Sequence, residues 1–285
     1  LIVRFLLQLK CYQNTMKTKS EITHHSQENY LTFAKQLAHS AGQRLLSSFG
    51  KSIATTKEDG TTVTSSDKEI DQFIGEEIQA RYPMDNILSE ELSPEYTDNG
   101  NAVWIVDPID GTTNFSQGLP LWGVSIARLE NGYPTIGVLY FPVLDMLCHA
   151  AKGQGAFENN NRISARRPAV VDRYSIFTCS SGTERHYTIR GGLRAKRRTF
   201  GSTIYELYLV ARGNALFCVL PEPKVWDVAA AWLIIEESGG AIDTINDSPH
   251  FPLRKEMSYT NVQLPTLAAA SLEMWQGIHD VIRTK

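Results

Sequence analysis

Two apolar runs, Trp122 to Leu129 and Thr135 to Phe141, flank the dipeptide Asn131-Gly132. Asn-Gly supplies two residues that tolerate positive φ, which the tight turns joining twisted antiparallel strands require. The middle of the chain is therefore committed to a hairpin, and a hairpin this apolar needs covering layers on its faces. Residues 27–49 can provide one, since Tyr30, Ala34, Leu37, Ala41 and Leu45 recur at helical spacing, with Ser26 as a cap and Gly50 as a stop. A second helix is predicted over 67–82, with Ile70, Phe73, Ile74 and Ile78 on one face, Ser66 capping and Pro83 ending it. Further strands are expected at Ala102 to Val106, Met146 to Ala151, 175–179 and Ala215 to Leu220, with a turn at 159–161. Helices are expected at 202–212, 228–238 and about 271–283. Helices interspersed with mostly antiparallel sheet give an α+β, layered architecture.

Composition fits that architecture. The chain has 285 residues, 42% hydrophobic and 21% charged, enough to bury a substantial core. Its 28 Lys and Arg against 31 Asp and Glu give a net charge of −3, which argues against nucleic acid or an anionic membrane as a partner. No run reaches the roughly 18 apolar residues of a membrane span. Leu1 to Tyr12 is apolar but short and interrupted by Arg4, a poor signal peptide. The chain begins with Leu and Met16 precedes a polar stretch, so residues 1–15 are expected to be an upstream translation artefact or a dispensable tail. Cys11, Cys148, Cys179 and Cys218 form no C-x-x-C pair, and the last three sit in strand-like runs as expected of buried thiols in a reducing compartment.

Five acidic residues stand where loops meet regular structure: Asp67, Glu90, Asp107, Asp110 and Asp227. Asp107 ends an apolar strand, Pro108 interrupts the ladder, and a tight turn can bring Asp110 to the same point. Gly111 allows close main-chain approach to a ligand, and Thr112 and Thr113 add hydroxyls and amides that can form an anion nest. Such hard oxygen ligands suit Mg²⁺, and Asp107 is the natural bridge in a two-metal site. Each acid also has a plainer reading. Asp-Pro-x-Asp-Gly is a common polar turn, Asp227 can be a helix N-cap, Glu90 and Glu91 can be a solvated loop, and Asp67 can belong to a capped first turn.

Taken together the motifs carry a resemblance. Val103-Trp104-Ile105-Val106-Asp107-Pro108-Ile109-Asp110-Gly111-Thr112-Thr113-Asn114-Phe115 resembles the signature of the inositol monophosphatase family. Trp226-Asp227 through Glu237-Ser238-Gly239-Gly240 resembles its second signature, and Ser89-Glu90-Glu91 and Val63-Thr64-x-x-Asp67 match two further motifs in order. Arg198-Thr199-Phe200-Gly201-Ser202 is similar to its substrate-side segment, and the likeness covers roughly residues 27–283. The resemblance implies an αβαβα sandwich of the inositol monophosphatase and fructose-1,6-bisphosphatase type. It also implies a Mg²⁺-dependent, Li⁺-sensitive phosphomonoesterase, cytoplasmic and often a homodimer, acting on a small phosphorylated metabolite. The catalytic domain would be 26–285 after a 1–25 tail, its two subdomains meeting near residue 165.

Carried over by motif, Glu90, Asp107 and the carbonyl of Ile109 hold one metal, and Asp107, Asp110 and Asp227 the second. A third, weaker Mg²⁺ sits near Glu90. Thr112 and Asp67 orient the metal-bound water that attacks in line, together with Glu90, while the Gly111 and Thr112 amides hold phosphate oxygens. Asp110, Gly201, Ser202, Thr203 and Asp227 match the alcohol-side positions. Inositol enzymes carry a glutamate shortly before the W-D motif; ungapped counting puts Leu220 there, and Glu222, two residues later, is the substitute. Inositol 1-phosphate is the leading substrate, with fructose 1,6-bisphosphate, histidinol phosphate or a phosphorylated nucleotide such as NADP as alternatives. A non-catalytic phosphoinositol-binding relative is the remote one. The run Arg194, Lys196, Arg197, Arg198 is either a solvated loop or a receptor for a second phosphate. Trp104, Trp122, Trp226 and Trp232 read as core, His149 as packed, and Leu267, Leu272, Trp275, Ile278 and Ile282 as a packing face.

Overall fold

A computed structural model describes residues 27–56, 62–96, 102–165, 171–189, 194–246 and 248–285. The predicted tail, the Ser26 cap and Cys11 lie outside the described residues. In chain order, helix α1 (residues 27–45) precedes a short ribbon of β1 (Thr55–Thr56) and β2 (Thr62–Val63) and helix α2 (Ser65–Arg81). There follow β3 (Asn86–Ser89), β4 (Glu95–Tyr96), β5 (Val103–Asp110) and the short helix α3 (Thr112–Gln117). Then come β6 (Gly123–Glu130), β7 (Tyr133–Phe141), β8 (Met146–Ala151), β9 (Gly155–Glu158) and β10 (Asn161–Ile163). The second half comprises β11 (Ile176–Cys179), α4 (Thr183–His186), β12 (Tyr187–Ile189), β13 (Lys196–Arg198), α5 (Thr203–Ala211) and β14 (Phe217–Leu220). It ends with α6 (Val225–Glu237), β15 (Ala241–Thr244), β16 (Met257–Ser258), β17 (Thr266–Ala269), α7 (Leu272–His279) and β18 (Ile282–Thr284).

The elements stack in five layers. The first sheet has seven strands in the order β10-β9-β8-β7-β6-β5-β3, antiparallel except for the β3–β5 pair. The second has five, β13-β11-β14-β17-β15. Strand alternation divides the core. Trp104, Val106, Ile126 and Val138 face α1 and α2, burying Ala34, Leu37, Ile74 and Ile78, while Val103, Ile105, Ala127 and Leu139 face α5 and α6. Those two helices are sandwiched, their other side meeting Cys218, Leu220 and Ala268 of the second sheet. Beyond that sheet, Val219, Leu267 and Ala269 pack with Ile278 and Ile282. The order helix, sheet, helix, sheet, helix is the α+β sandwich expected from the sequence.

The hairpin forms as read, with Asn131 at φ 52 and Gly132 at φ 78. Trp104, Trp122, Trp226 and Trp232 are buried, as are His149 and the three described cysteines. Element ends differ from the sequence reading for local reasons. Helix α1 stops at 45 and passes through turns to Gly50, and α2 begins at Ser65 because Thr64, rather than Ser66, is the cap. The last helix ends at His279, where the chain returns as β18 to pair with β12. Leu272 is exposed and Leu267 belongs to β17, so the predicted packing face is only partly helical.

Candidate active site

Strand β5 is buried along its whole length and carries both Asp107 and Asp110. In a regular strand residues three apart point to opposite faces. Here Asp107 pairs with Ser125 and Asp110 with Gly123, so three steps on β5 match two on β6. This irregularity at Pro108-Ile109 restores a common face to the two acids, and the Ile109 amide donates to Asp107 Oδ1 at 3.0 Å. Gly111 then turns the chain into α3 at φ 84. A Cβ there would lie 3.1 Å from Ser202 Cβ and 3.2 Å from the Leu121 carbonyl, so the close approach requires glycine.

Asp227 arrives from the other side. Helix α6 starts three residues earlier than the sequence pattern indicates, so Asp227 is its third residue and not its N-cap, the position considered from sequence. One carboxylate oxygen accepts from the Lys224 amide at 2.8 Å. Asp67 is likewise the third residue of α2, bound by the Thr64 amide at 2.7 Å and the Thr64 hydroxyl at 2.6 Å. Its other oxygen lies 3.2 Å from the Thr112 hydroxyl, which also lies 3.0 Å from the Ile109 carbonyl. With a single proton, Thr112 donates to one of these at a time. Glu90 follows β3, its amide bonded to the Val106 carbonyl at 3.2 Å.

Oxygens of Asp107, Asp110 and Asp227 all lie within 4.8 Å of one another. With Glu90, Ile109, Gly111, Thr112, Thr113, Thr62 and Gly201 they line an open cleft of about 340 Å³. Among the described residues, no lysine or arginine lines it. Burial, then the charges of Glu90, Asp110 and Asp227, push the Asp107 carboxyl well above the usual carboxylate range. Burial raises Asp110 to about 7, against the lowering bonds from Ser202 and the Ile204 and Thr203 amides. Burial and then Asp110 raise Asp227 to about 7. Asp67 is also raised, by burial first. Two buried acids and the half-buried Asp227, packed this closely with no cation among the described lining residues, form a strongly unfavourable group as an ionised set. Their all-oxygen chemistry fits divalent magnesium or manganese, which would relieve the repulsion.

Other candidate residues stand behind this group. Ser202 donates its hydroxyl to Asp110, and the Thr203 amide donates to Asp110 at 3.1 Å, so both contact the acid from the start of α5. Glu222 is exposed, accepting from Gln263 at 2.9 Å and lying 3.3 Å from His186, and it is not among the cleft-lining residues. Lys196, Arg197 and Arg198 form the exposed edge strand β13, with Arg197 paired to Glu184. Among the described residues, no carboxylate lines a separate hollow of about 260 Å³ near His250 and Arg254. Sequence reasoning missed Thr62, which lines the cleft 3.3 Å from the Thr113 hydroxyl. It also missed Asp71, a buried acid one turn beyond Asp67. Asp71 accepts from the amides of Glu91 and Leu92 at 2.9 and 3.0 Å and so braces the turn carrying Glu90. No sequence signal marks Asp71, since an acid at i, i+4 from Asp67 is equally expected on a solvated helix face.

Residues 26–276 match the family model described as "Inositol monophosphatase family". A fructose-1,6-bisphosphatase/inositol-1-monophosphatase of Thermotoga maritima is 32% identical over 240 residues, covering 81% of this chain and 91% of that protein. A histidinol-phosphatase of Chlorobaculum parvum is 35% identical over 221 residues, covering 74% and 83%. Among solved structures, a Thermotoga maritima IMPase superposes with a TM-score of 0.73 at 28% identity, covering 89% of this chain and 98% of that one. A buried carboxylate cluster under an open cleft, on this layered fold and with these matches, makes the chain a metal-dependent phosphatase of the inositol monophosphatase family.

Proposed function

We propose that the protein hydrolyses a small phosphomonoester with Mg²⁺ held at this cleft, and that inositol 1-phosphate is the leading substrate. The observation that carries the reading is the meeting of Asp107, Asp110 and Asp227 within 4.8 Å, beside a Thr112 hydroxyl 3.2 Å from buried Asp67. Glu90, Asp107 and the Ile109 carbonyl would hold one cation, and Asp107, Asp110 and Asp227 another. Bound there, the cations supply Lewis acidity, easing deprotonation of a water and neutralising phosphoryl charge. Thr112, its hydroxyl donating to Asp67, orients the attacking water with Glu90, and the proton that water loses is relayed through the Thr112 hydroxyl to the Asp67 carboxylate. The Gly111 and Thr112 amides receive the phosphoryl oxygens. As the new P–O bond forms the ester P–O bond breaks, and the leaving alcohol takes a proton from water on the Asp227 side. Inhibition by millimolar Li⁺ and a homodimeric state are expected from the family resemblance.

A substrate with a second anionic group is the alternative. It is favoured by β13, whose exposed basic residues run through Thr199 and Phe200 directly into Gly201 of the cleft wall. The relative named for fructose 1,6-bisphosphate agrees with such a substrate. Phosphate release from inositol 1-phosphate, fructose 1,6-bisphosphate, histidinol phosphate, NADP and adenosine 3′,5′-bisphosphate separates the readings. Preference for inositol 1-phosphate supports the first, preference for a bisphosphate the second. Release from none of them in Mg²⁺ or Mn²⁺ overturns both.

A further inference from the structure

One peptide segment in the cleft wall is gripped from two helices by side chains that do not themselves line the cleft. The Phe200 amide donates to Glu206 Oε1 at 2.9 Å, from α5. The Phe200 carbonyl accepts from Asn114 Nδ2 at 2.8 Å, from α3, and the same nitrogen donates to the Leu121 carbonyl at 2.6 Å. Asn114 is 6% exposed and Glu206 1% exposed. The next residue, Gly201, lines the cleft at φ +75, where an added Cβ would lie 3.0 Å from Asn114 Oδ1. The two residues after that are Ser202 and Thr203, which hold Asp110.

Glu206 makes little sense as core filling. Its carboxyl is buried and set toward the Phe200 and Gly201 amides, at a desolvation cost that an apolar side chain of the same size avoids. Burial lifts its carboxyl to about 8, so it is a neutral acid near pH 7 and accepts the Phe200 N–H without placing another charge beside Asp110. Glutamine is then its close isostere, whereas methionine keeps the volume and removes the acceptor.

We propose that Asn114 and Glu206 are paired positioning residues that clamp the Phe200 segment and thereby set Gly201–Thr203 as the wall that discriminates the alcohol part of the substrate. The inference rests on the phosphatase reading of the Asp107–Asp110–Asp227 cleft. It assigns the two residues no contact with substrate.

The test uses the full chain carrying Asn114→Ala, Glu206→Met, both together, or Glu206→Gln. Each variant is assayed with Mg²⁺ on the best substrate of the panel and on 4-nitrophenyl phosphate, whose flat leaving group asks little of the wall. Hydrogen exchange of the 199–204 amides is followed in parallel. In Asn114→Ala and Glu206→Met, KM for the best substrate should rise about 10-fold with kcat within about threefold, while 4-nitrophenyl phosphate kcat/KM changes less than about threefold. The double variant should be little worse than either single one, the non-additivity of groups acting on one segment. Exchange at 199–204 should quicken at least about 10-fold in both single variants, and Glu206→Gln should stay within about twofold of the parent throughout. Equal losses on both substrates, unchanged exchange, or Glu206→Gln as impaired as Glu206→Met would overturn the clamp. A parent protein inactive on every phosphomonoester would overturn the phosphatase reading instead, and the exchange data would still judge the clamp.

Discussion

At residue 107 the chain must aim a carboxylate the same way as at residue 110, and only the irregular β5–β6 register allows it. The sequence reading inferred convergence from a tight turn; the structure reaches it with a bulge, because Pro108 cannot donate to the ladder. Asp107→Asn should therefore lower turnover by several orders of magnitude with folding retained, since the amide keeps the shape but not the charge that holds a cation. Phosphate release and circular dichroism on one preparation check this, and near-parental activity would contradict the assignment. Thr112→Ala should cost about 10²–10³ in kcat with KM little changed, and Thr112→Ser should recover most of it, because only the hydroxyl reaches Asp67. All five acids were legible from their place at loop junctions. Asp71 and Glu206 were not, because an acid on an amphipathic helix looks the same in sequence whether it faces water or braces a buried loop. The start of α6 was hidden for another reason: its cap is Lys224 and its first residues are Val and Trp, none of which announces a helix.

Among the elements, α6 is one of the two helices that both sheets share, and its approach to the first sheet is set at Gly137 of β7. An added Cβ there would stand 2.5 Å from the Ala230 carbonyl, a backbone atom that cannot step aside. Gly137→Ala is expected to destabilise by about 3 kcal/mol or more, at the upper end of overpacking costs, measured by denaturant unfolding. It should also impair activity through Asp227 on the same helix. Strand β8 carries a different load. His149 is stacked on Phe157, its Nδ1 lacks a partner, and burial, with Lys35 nearby, lowers its pKa to about 4. As pH falls below about 6.5 the unfolded chain takes up this proton and the native state does not until about 4, so its stabilising contribution drains away across that window. His149→Leu should flatten the fall in Tm between pH 6.5 and 4 relative to the parent; an unchanged slope would mean His149 does not carry it. The hairpin and the apolar strands were readable because their signals are local. The end of α7 was not, because β18 exists only through pairing with β12, nearly a hundred residues earlier in the chain.

For the whole molecule, the layers explain why a cluster of like charges is tolerable at all. Asp107 and Asp110 come from the first sheet, Asp227 from the helix layer between the sheets, and Glu90 from the loop after β3. None can retreat without unpacking its element, so the repulsion among them is held in place by the burial of three apolar clusters. A divalent cation that binds only this assembled arrangement must then stabilise the fold by mass action. At a hundredfold excess over Kd the gain is about 2.7 kcal/mol. For a chain of this size that corresponds to a Tm rise of about 4–5 °C on adding Mg²⁺ to chelator-treated protein, with hydrolysis returning over the same concentration range. Asp107→Asn should lose both responses, because the residue proposed to bridge the two cation positions is the one replaced. A Tm indifferent to Mg²⁺ and Mn²⁺ in the parent protein would mean that the acids meet for some purpose other than holding metal.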